Sequence, residues 1–497
     1  MAICLPMNTP PLQFVWRRRI VRLEAVPPTR TVLQLLREDL GATSTKEGCN
    51  QGDCGACVVV LGQVRGGTLH LTAVNACLCL AHALQGRALW TAQDIGGPGG
   101  QAHPLQLALH QHHASQCGFC TPGFAMSLFA LYHTQVEAGV PVTRADAQRA
   151  LSGNLCRCTG YRPILDAAQA MAQPPLQPLD RALVLSLLER LPQADQALEP
   201  DFSYQKPGNL QALLQARAAY PEAWLVAGGT DLGVRLNTQL EAPERLIDLS
   251  RVPELAQITP TDGGLRVGAA VALNEAFAAL AQRHPGLDDY WARFAGLPVR
   301  NMATLGGNLG TASPIGDSLP VLLALQARIT LQSLRGPRTL DLPDYFLGYR
   351  QTACAADEVI VHIEVPDPEP GQLLRAYKVS KRHEDDISAV SLVLCLILRE
   401  GHIAQARIAA GGVAATPARA RQTEAALQGQ PWAPESLQRA VPVLQAEFSP
   451  LSDLRASSAY RRQVLGGLLR RFAHDTLGGA ATDLHRLSPI AMEDVQA

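Results

Sequence analysis

Hydrophobic and polar positions change their rhythm several times along the chain. From Leu12 to about Ile95 short alternating runs dominate: LQFVWRRRIVRLEAV predicts a hairpin, TVLQLLRE a short helix, and CVVVLGQV and TLHLTAV two more strands. GGPGG at 96–100 interrupts the pattern and marks a boundary. Helical spacing follows, in HPLQLALHQHH, TPGFAMSLFALYHTQ, TRADAQRAL and RPILDAAQAMA, with Thr121 expected as an N-cap and Pro122 and Pro163 in first turns. These four predict a small helical bundle. The Pro-, Gln- and Ala-rich stretch 177–201 suits a linker. Beyond Phe202, helices such as NLQALLQARAAY alternate with strands such as AWLV, LRVGAAVAL and EVIVHIEVP, and then LRAYKVSK, SAVSLVLCLILRE and HIAQARIAAGGVA precede Ala-rich helical stretches. No repeat of 20–50 residues is present.

The 497 residues suggest about three domains. A hydrophobic fraction of 47% with 18% charged residues is the profile of a folded globular chain. Lys+Arg number 43 against 44 Asp+Glu, so no net field would collect nucleic acid or anionic lipid. The longest apolar run, Ala389 to Leu398, is about half of a bilayer span and reads as a buried strand. MAICLPMNTPPLQF lacks the basic and apolar regions of a secretory signal, and a cytoplasmic location is expected.

Cysteine placement changes the picture. Ten of the 12 precede residue 159, and only Cys354 and Cys395 lie beyond. Without an export signal, metal or redox chemistry is a better reading than disulfides. Cys49, Cys54, Cys57 and Cys77 stand as C-x4-C-x2-C-x19-C, whose first three match the spacing of plant-type [2Fe-2S] ferredoxins. Gly48, Gly52 and Gly55 in between allow backbone to wrap an anionic cluster. Spacing alone leaves a four-cysteine zinc site as an alternative, and leaves Cys79 competing with Cys77. Cys117, Cys120, Cys156 and Cys158 form a second set, each pair just before a proline-opened helix whose free N–H groups suit an anion. Here too spacing alone permits zinc. His112 and His113 read as ordinary helix or surface residues, and Cys4, Cys354 and Cys395 as unligated thiols.

No Rossmann or Walker loop is present, because GGTDLG at 228–233 continues as Val-Arg. AGGTD at 227–231 and GGNLGTASPIGD at 306–317 remain as loops through which backbone can approach a pyrophosphate, which points to a dinucleotide redox cofactor.

Together KEGCNQGDCGACVVV, NACL, QCGFCTPG, GNLCRCTGYRP, LVAGGTDL, RNMATLGGNLGTASPIGDSLP and KRHEDDIS resemble the molybdenum hydroxylase (xanthine dehydrogenase/oxidase) family, in its small iron-sulfur/FAD subunit. The likeness runs from about residue 12 to 420. It implies a multidomain α+β fold: a β-grasp [2Fe-2S] ferredoxin domain (1–95), a four-helix [2Fe-2S] domain (96–176), the linker (177–201), an α+β FAD-binding domain (202–375) and a C-terminal α+β domain (376–497). By this resemblance Cys77 completes the first cluster, and Cys117, Cys120, Cys156 and Cys158 hold the second. Gln116 matches a residue contacting the pterin of the molybdenum cofactor on a partner subunit. Leu225, Val226, Ala227, Gly228, Gly229, Thr230 and Asp231, with Thr304, Gly307 and Asn308, match the loops around the FAD pyrophosphate, and Asp317 a further flavin position. Phe294 matches an aromatic stacked on the flavin, and Ile360 and Lys378 match residues lining it. Asp385 falls near the isoalloxazine, where it and Lys378 become candidates for the chemistry with nicotinamide.

The chain departs from the commonest family pattern at Asn50, Gln51, Thr304 and Asp231, and its last ~75 residues match least well. The activity implied is hypoxanthine and xanthine oxidation to urate at a molybdenum-binding large subunit, in a heterotetramer of two small and two large subunits. Electrons would reach FAD through two [2Fe-2S] clusters and leave on NAD+. The rival readings are the small subunit of an aldehyde or N-heterocycle hydroxylase, and a zinc-binding scaffold.

Overall fold

The computed structural model describes residues 10–173, 175–192, 202–241 and 243–478. Cys4 and the residues after 478 lie outside them. Two compact units emerge: one up to Ser313 together with Gln326–Asp367 and Arg382–Ile387, the other formed by Pro314–Leu325, Pro368–Lys381 and the chain from Ser388.

The first unit begins with a five-stranded sheet ordered β2-β1-β5-β3-β4, built from β1 (Leu12–Trp16), β2 (Arg19–Leu23), β3 (Val58–Arg65), β4 (Thr68–Asn75) and β5 (Ala88–Trp90). The parallel β1–β5 pair inside this antiparallel framework is the β-grasp arrangement. Helix α1 (Val32–Gln34), closed by a capping box at Thr31, runs on as a wide π-type turn over Leu35–Asp39. Strand period decides which core each β3 residue joins. Val59 and Leu61 pack with Phe14, Leu33 and Leu36, whereas Val58 and Val60 turn to Phe124, Phe129 and Tyr132 of the helical module.

That module consists of α2 (Pro104–Gln111), α3 (Thr121–Leu131), α4 (Arg144–Leu151) and α5 (Arg162–Ala170). Two details differ from the sequence reading. Cys120, not Thr121, occupies the N-cap of α3, and the Thr121 hydroxyl instead bonds Ser115 at 2.8 Å. The stretch expected as linker contains α6 (Arg181–Glu189), whose Val184, Leu187 and Leu188 are buried in the core shared by the sheet and the bundle. Its i, i+3, i+4 apolar stripe is hidden in composition by Pro- and Gln-rich flanks.

The rest of the first unit is α+β. β6 (Tyr204–Gln205), α7 (Leu210–Ala219), β7 (Trp224–Val226), α8 (Thr230–Thr238) and β8 (Leu246–Asp248) form a small parallel sheet with strand order β6-β8-β7. After it come β9 (Ile258–Thr261), β10 (Gly264–Gly268), α9 (Leu273–Arg283), α10 (Asp288–Ala292), α11 (Leu297–Arg300) and α12 (Leu305–Thr311). β11 (Arg328–Ser333), β12 (Gly336–Asp341) and β15 (Val359–Pro366) complete an antiparallel sheet ordered β12-β11-β15-β10-β9, and β13 (Phe346–Gly348) pairs with β14 (Gln351–Thr352).

The second unit places α13 (Ser318–Ala324), α14 (Arg421–Leu427), α15 (Pro434–Glu447) and α16 (Ser458–Thr476) with an antiparallel sheet β16-β17-β18-β19. Its strands are β16 (Gln372–Val379), β17 (Val390–Arg399), β18 (His402–Gly411) and β19 (Ala418–Arg419). The apolar run becomes β17, whose first eight residues are all buried because helices cover both faces. The segment 314–325, inside the stretch expected to belong to the flavin domain, packs here instead. Among the described residues no helix is long and apolar enough to cross a membrane.

Candidate functional site

The first thiol set lies on the loop that enters β3 and the turn that leaves β4. Cys49 and Cys54 are hydrogen-bond partners, as are Cys57 and Cys77. The N–H groups of Gln51 (3.4 Å), Asp53 (3.3 Å) and Cys54 (3.4 Å) all donate to Cys49 Sγ, and that of Cys49 donates to Cys54 Sγ at 3.3 Å. The bond from Cys54, with these backbone donors, draws the Cys49 thiol down to about 5, so it favours the thiolate. Its partner Cys54 is pushed up. Gly52 has φ +86°, and a Cβ there would lie 2.4 Å from Leu78 Cδ1; at Gly48 a Cβ would lie 2.7 Å from Cys54 Sγ. Side chains would fill the cradle. Cys57 and Cys77 are 2% and 1% exposed.

Cys79 bonds none of these four thiols. Its thiol donates to Leu80 O at 3.7 Å and lines a cavity of about 380 Å³ with Arg87, Tyr204 and Asp248.

The second set sits where α3 and α5 begin. Cys158 Sγ donates to Cys117 Sγ at 3.6 Å, and Cys120 pairs with Cys156. Burial, then the bond to Cys156, pushes Cys120 up to about 12. Burial acts on Cys156 in the same direction, but the Thr159 hydroxyl at 3.2 Å and N–H at 3.4 Å overcome it and hold that thiol below its ordinary value. Cys117 and Cys158 are exposed, as are Gln116, Phe119 and Tyr161 around them. His113 is exposed and bonds no thiol, and Cys354 and Cys395 belong to neither set.

Among the described residues no three His, Cys, Asp or Glu side chains converge as ligands of a single ion. The thiols come in twos. Two pairs per set suit a binuclear cluster, in which each iron takes two thiolates, better than zinc, which gathers four donors about one centre. The N–H groups aimed at Cys49 and Cys156 fit an anionic cluster as well.

Backbone joins the two sets. Leu155 N–H, one residue before Cys156, donates to Cys54 O at 2.9 Å, and Asn154 Nδ2 donates to Gly55 O at 3.2 Å. Ser127 orients that amide from α3 through a 2.7 Å bond to Asn154 Oδ1. Close approach here needs glycine: a Cβ at Gly123 would stand 2.0 Å from Gly55 O, and one at Gly55 (φ +66°) would stand 2.3 Å from Gly153 O.

The glycine loop expected to meet the FAD pyrophosphate, with the helix after it, lies against Leu78, next to Cys77 of the first set. Leu225 and Val226 end β7, and Ala227, Gly228 and Gly229 lead to Thr230 and Asp231 in the first turn of α8. A Cβ on Gly228 would be 1.9 Å from Met302 O, so this loop and the one before α12 touch through backbone. Thr304 caps α12 by accepting from Gly307 N–H at 3.0 Å, with half-buried Asn308 next in line. A Cβ at Gly310 would meet only Ile360 Cδ1, at 3.6 Å, so the missing side chain leaves space in front of Ile360. Such small residues beside an apolar wall fit a dinucleotide. Asp231 is exposed and lies 3.8 Å from Arg350. Helix α8 also reaches the first set, because Asn237 Nδ2 donates to Cys77 O at 2.8 Å and to Asn50 O at 3.0 Å.

Phe294 is half-buried, edge-on to Phe277 at 5.4 Å, while Phe277 stacks on Trp291 at 4.0 Å. Asp385 is 8% exposed with φ +48°, and burial followed by the charge of Asp53 pushes its carboxyl up to about 7. In the second unit Lys378 Nζ donates to Asp317 Oδ2 at 2.9 Å, and Ser388 Oγ donates to Asp317 Oδ1 at 2.6 Å, all three buried. Sequence reasoning gave no role to Asn154 or Thr159, although both lie inside GNLCRCTGYRP.

Comparison with known proteins gives four consecutive family matches: a 2Fe-2S iron-sulfur cluster binding domain (residues 15–82), a [2Fe-2S] binding domain (91–169), the FAD binding domain in molybdopterin dehydrogenase (200–368) and the CO dehydrogenase flavoprotein C-terminal domain (375–476). Xanthine dehydrogenase 2 of Arabidopsis thaliana is 31% identical over 492 residues, covering 84% of this chain and 36% of the relative. Xanthine dehydrogenase of Drosophila pseudoobscura pseudoobscura is 33% identical, covering 89% and 37%, and aldehyde oxidase 2 of Mus musculus is 30% identical, covering 94% and 39%. The chain thus spans between a third and two fifths of these relatives. Among solved structures, a chain of the carbon monoxide dehydrogenase of Hydrogenophaga pseudoflava aligns with TM-score 0.52 at 28% identity, covering 55% of this chain and 96% of that one. A chain of quinoline 2-oxidoreductase from Pseudomonas putida 86 aligns with TM-score 0.51 at 29% identity and the same coverage. With paired thiols in two joined sets, glycine-built loops that fit a dinucleotide and these matches in unbroken order, the chain belongs to the molybdenum hydroxylase family, as its iron-sulfur and FAD-binding portion.

Proposed function

We propose that this chain is the electron-relay subunit of a xanthine dehydrogenase, partnered with a molybdenum-binding large subunit and passing electrons from xanthine and hypoxanthine oxidation to NAD+. The groups bound here would supply single-electron transfer at two [2Fe-2S] clusters and conversion to two-electron chemistry at FAD. Cys49, Cys54, Cys57 and Cys77 would hold one cluster and Cys117, Cys120, Cys156 and Cys158 the other. The loops at 225–231 and 304–308, with Ile360, would hold FAD, and Phe294 would lie against its ring. Gln116, Cys117 and Cys158 offer the exposed end to the partner. The Lys378–Asp317 pair fixes a cation in the second unit, and Asp385 offers a carboxyl able to exchange a proton near neutral pH.

One observation carries this reading: the first set is hydrogen-bonded to both of its neighbours, to the second set by Leu155 N–H on Cys54 O and to α8, the helix that follows the 225–231 loop, by Asn237 Nδ2 on Cys77 O. The likeness to xanthine dehydrogenases from plant and insect favours xanthine. A second reading, an N-heterocycle hydroxylase, draws support from the likeness to quinoline 2-oxidoreductase. Purification of the chain with its molybdopterin-containing partner, followed by assays with xanthine, quinoline and an aldehyde, separates the two. Xanthine-dependent NADH formation is expected, and oxidation of quinoline alone would replace the first reading by the second.

A further inference from the structure

Arg300 is a buried charge for which the proposed electron route has no use. It ends α11 at 5% exposure, and desolvation brings its pKa down to about 10 even though Glu384 and Asp385 act the other way. Burying a guanidinium is costly unless its donors are satisfied. Its hydrogen-bond partners are carbonyls and a hydroxyl rather than a carboxylate: Nη1 donates to Ala292 O at 3.0 Å, Phe294 O at 2.8 Å and Ala295 O at 2.6 Å, and Nη2 donates to Ser152 Oγ at 3.3 Å.

Those three carbonyls belong to the turn that leaves α10. The last acceptors of a helix have no partner of their own, and a cation there satisfies them and opposes the negative end of the dipole. The turn is also strained, with Ala295 at φ +47°, and its middle residue is Phe294. Across the guanidinium, Ser152 precedes Gly153, which meets Gly296 backbone to backbone: a Cβ on Gly296 would be 2.5 Å from Gly153 Cα. Ser152 Oγ also accepts from Leu297 N–H at 3.0 Å. Four residues beyond Ser152 comes Cys156.

We propose that Arg300 is a positioning residue for the flavin, clamping the Phe294 turn in one conformation and tying it to the backbone that carries the second thiol set. The inference rests on the reading that Phe294 lies against FAD. A lysine in its place keeps the charge but, with a single ammonium, cannot reach all three carbonyls and Ser152 together.

The test is a double-mutant cycle in the full chain with its clusters intact, depleted of FAD and titrated with it. Flavin fluorescence and visible circular dichroism are followed. Phe294→Ala should weaken FAD binding about tenfold and alter the flavin dichroism. Arg300→Met should weaken it about fivefold and change the same dichroic bands, with iron content unchanged. If Arg300 acts through Phe294, Arg300→Met adds nothing on the Phe294→Ala background. Arg300→Lys, which keeps the buried charge and so spares the fold, should give a smaller loss that also vanishes on that background. Losses that multiply in the double variants, or wild-type binding and dichroism in both Arg300 variants, would overturn the proposal. Wild-type binding and dichroism in Phe294→Ala alone would instead overturn the placement of Phe294 against the flavin.

Discussion

The two thiol sets solve one problem in opposite ways. The first wraps a single glycine-rich loop about its cysteines, buries Cys57 and Cys77, and aims several backbone N–H groups at one sulfur. The second gathers two segments far apart in sequence at the starts of α3 and α5 and leaves Cys117 and Cys158 in the open. An enclosed set suits an interior relay, whereas an exposed one suits contact with something outside the chain. Close glycine contacts among Gly55, Gly123 and Gly153, with the Leu155–Cys54 and Asn154–Gly55 hydrogen bonds, hold them together.

The harshest challenge to that comparison is at the junction. Gly55→Ala places a Cβ 2.3 Å from Gly153 O on a backbone of φ +66°, and should destabilise the first unit by about 2–5 kcal/mol. Iron per chain and the thermal midpoint should both fall. Loss of iron from only one set would show that the two do not depend on each other.

Next in size, Cys158→Ser attacks the exposed set alone. About half of the iron should be lost. Electron flow from xanthine to NAD+ should stop while NADH-dependent dye reduction at FAD persists; equal loss of both activities would reverse the assigned order of the sets.

A smaller effect tests the helical module as a protonation target. His103 caps α2, its Nδ1 accepting Leu105 N–H at 3.2 Å, while burial and the charge of His133 lower its pKa to about 3. Below pH 6.5 the unfolded chain therefore binds a proton that the folded chain refuses, so stability drops as pH falls toward 3. Between pH 7 and 5 the thermal midpoint of the wild type should fall more than that of His103→Asn, whose amide can still cap the helix. Equal slopes would remove His103 from the account. Smallest of all, Thr159→Val deletes a hydroxyl donor to Cys156 and should lower the reduction potential of the second cluster without moving the first.

How much of this the sequence announced depends on how local each feature is. The first set was legible because three of its ligands and its glycines fall within ten residues, and β17 because it is one apolar run. The choice of Cys77 over Cys79 was not, since two residues of spacing separate a sulfur facing Cys57 from one facing a cavity. Helix α6 was obscured because linker composition surrounds its apolar stripe. Asp317 reads with the flavin segment in chain order, but its helix crosses to the second unit, where Lys378 and Ser388 meet it. Asn154 bonds the backbone of Gly55, 99 residues away, and Arg300 bonds the Ser152 hydroxyl, 148 residues away, and no spacing rule reaches that far.

Whether the paired thiols hold two separate binuclear clusters is settled most directly by metal analysis and electron paramagnetic resonance of the full chain, prepared anaerobically and reduced. About four irons per chain and two distinguishable cluster signals, one of them missing in Cys158→Ser, are expected. Zinc in place of iron, or a single signal with about two irons, would contradict it.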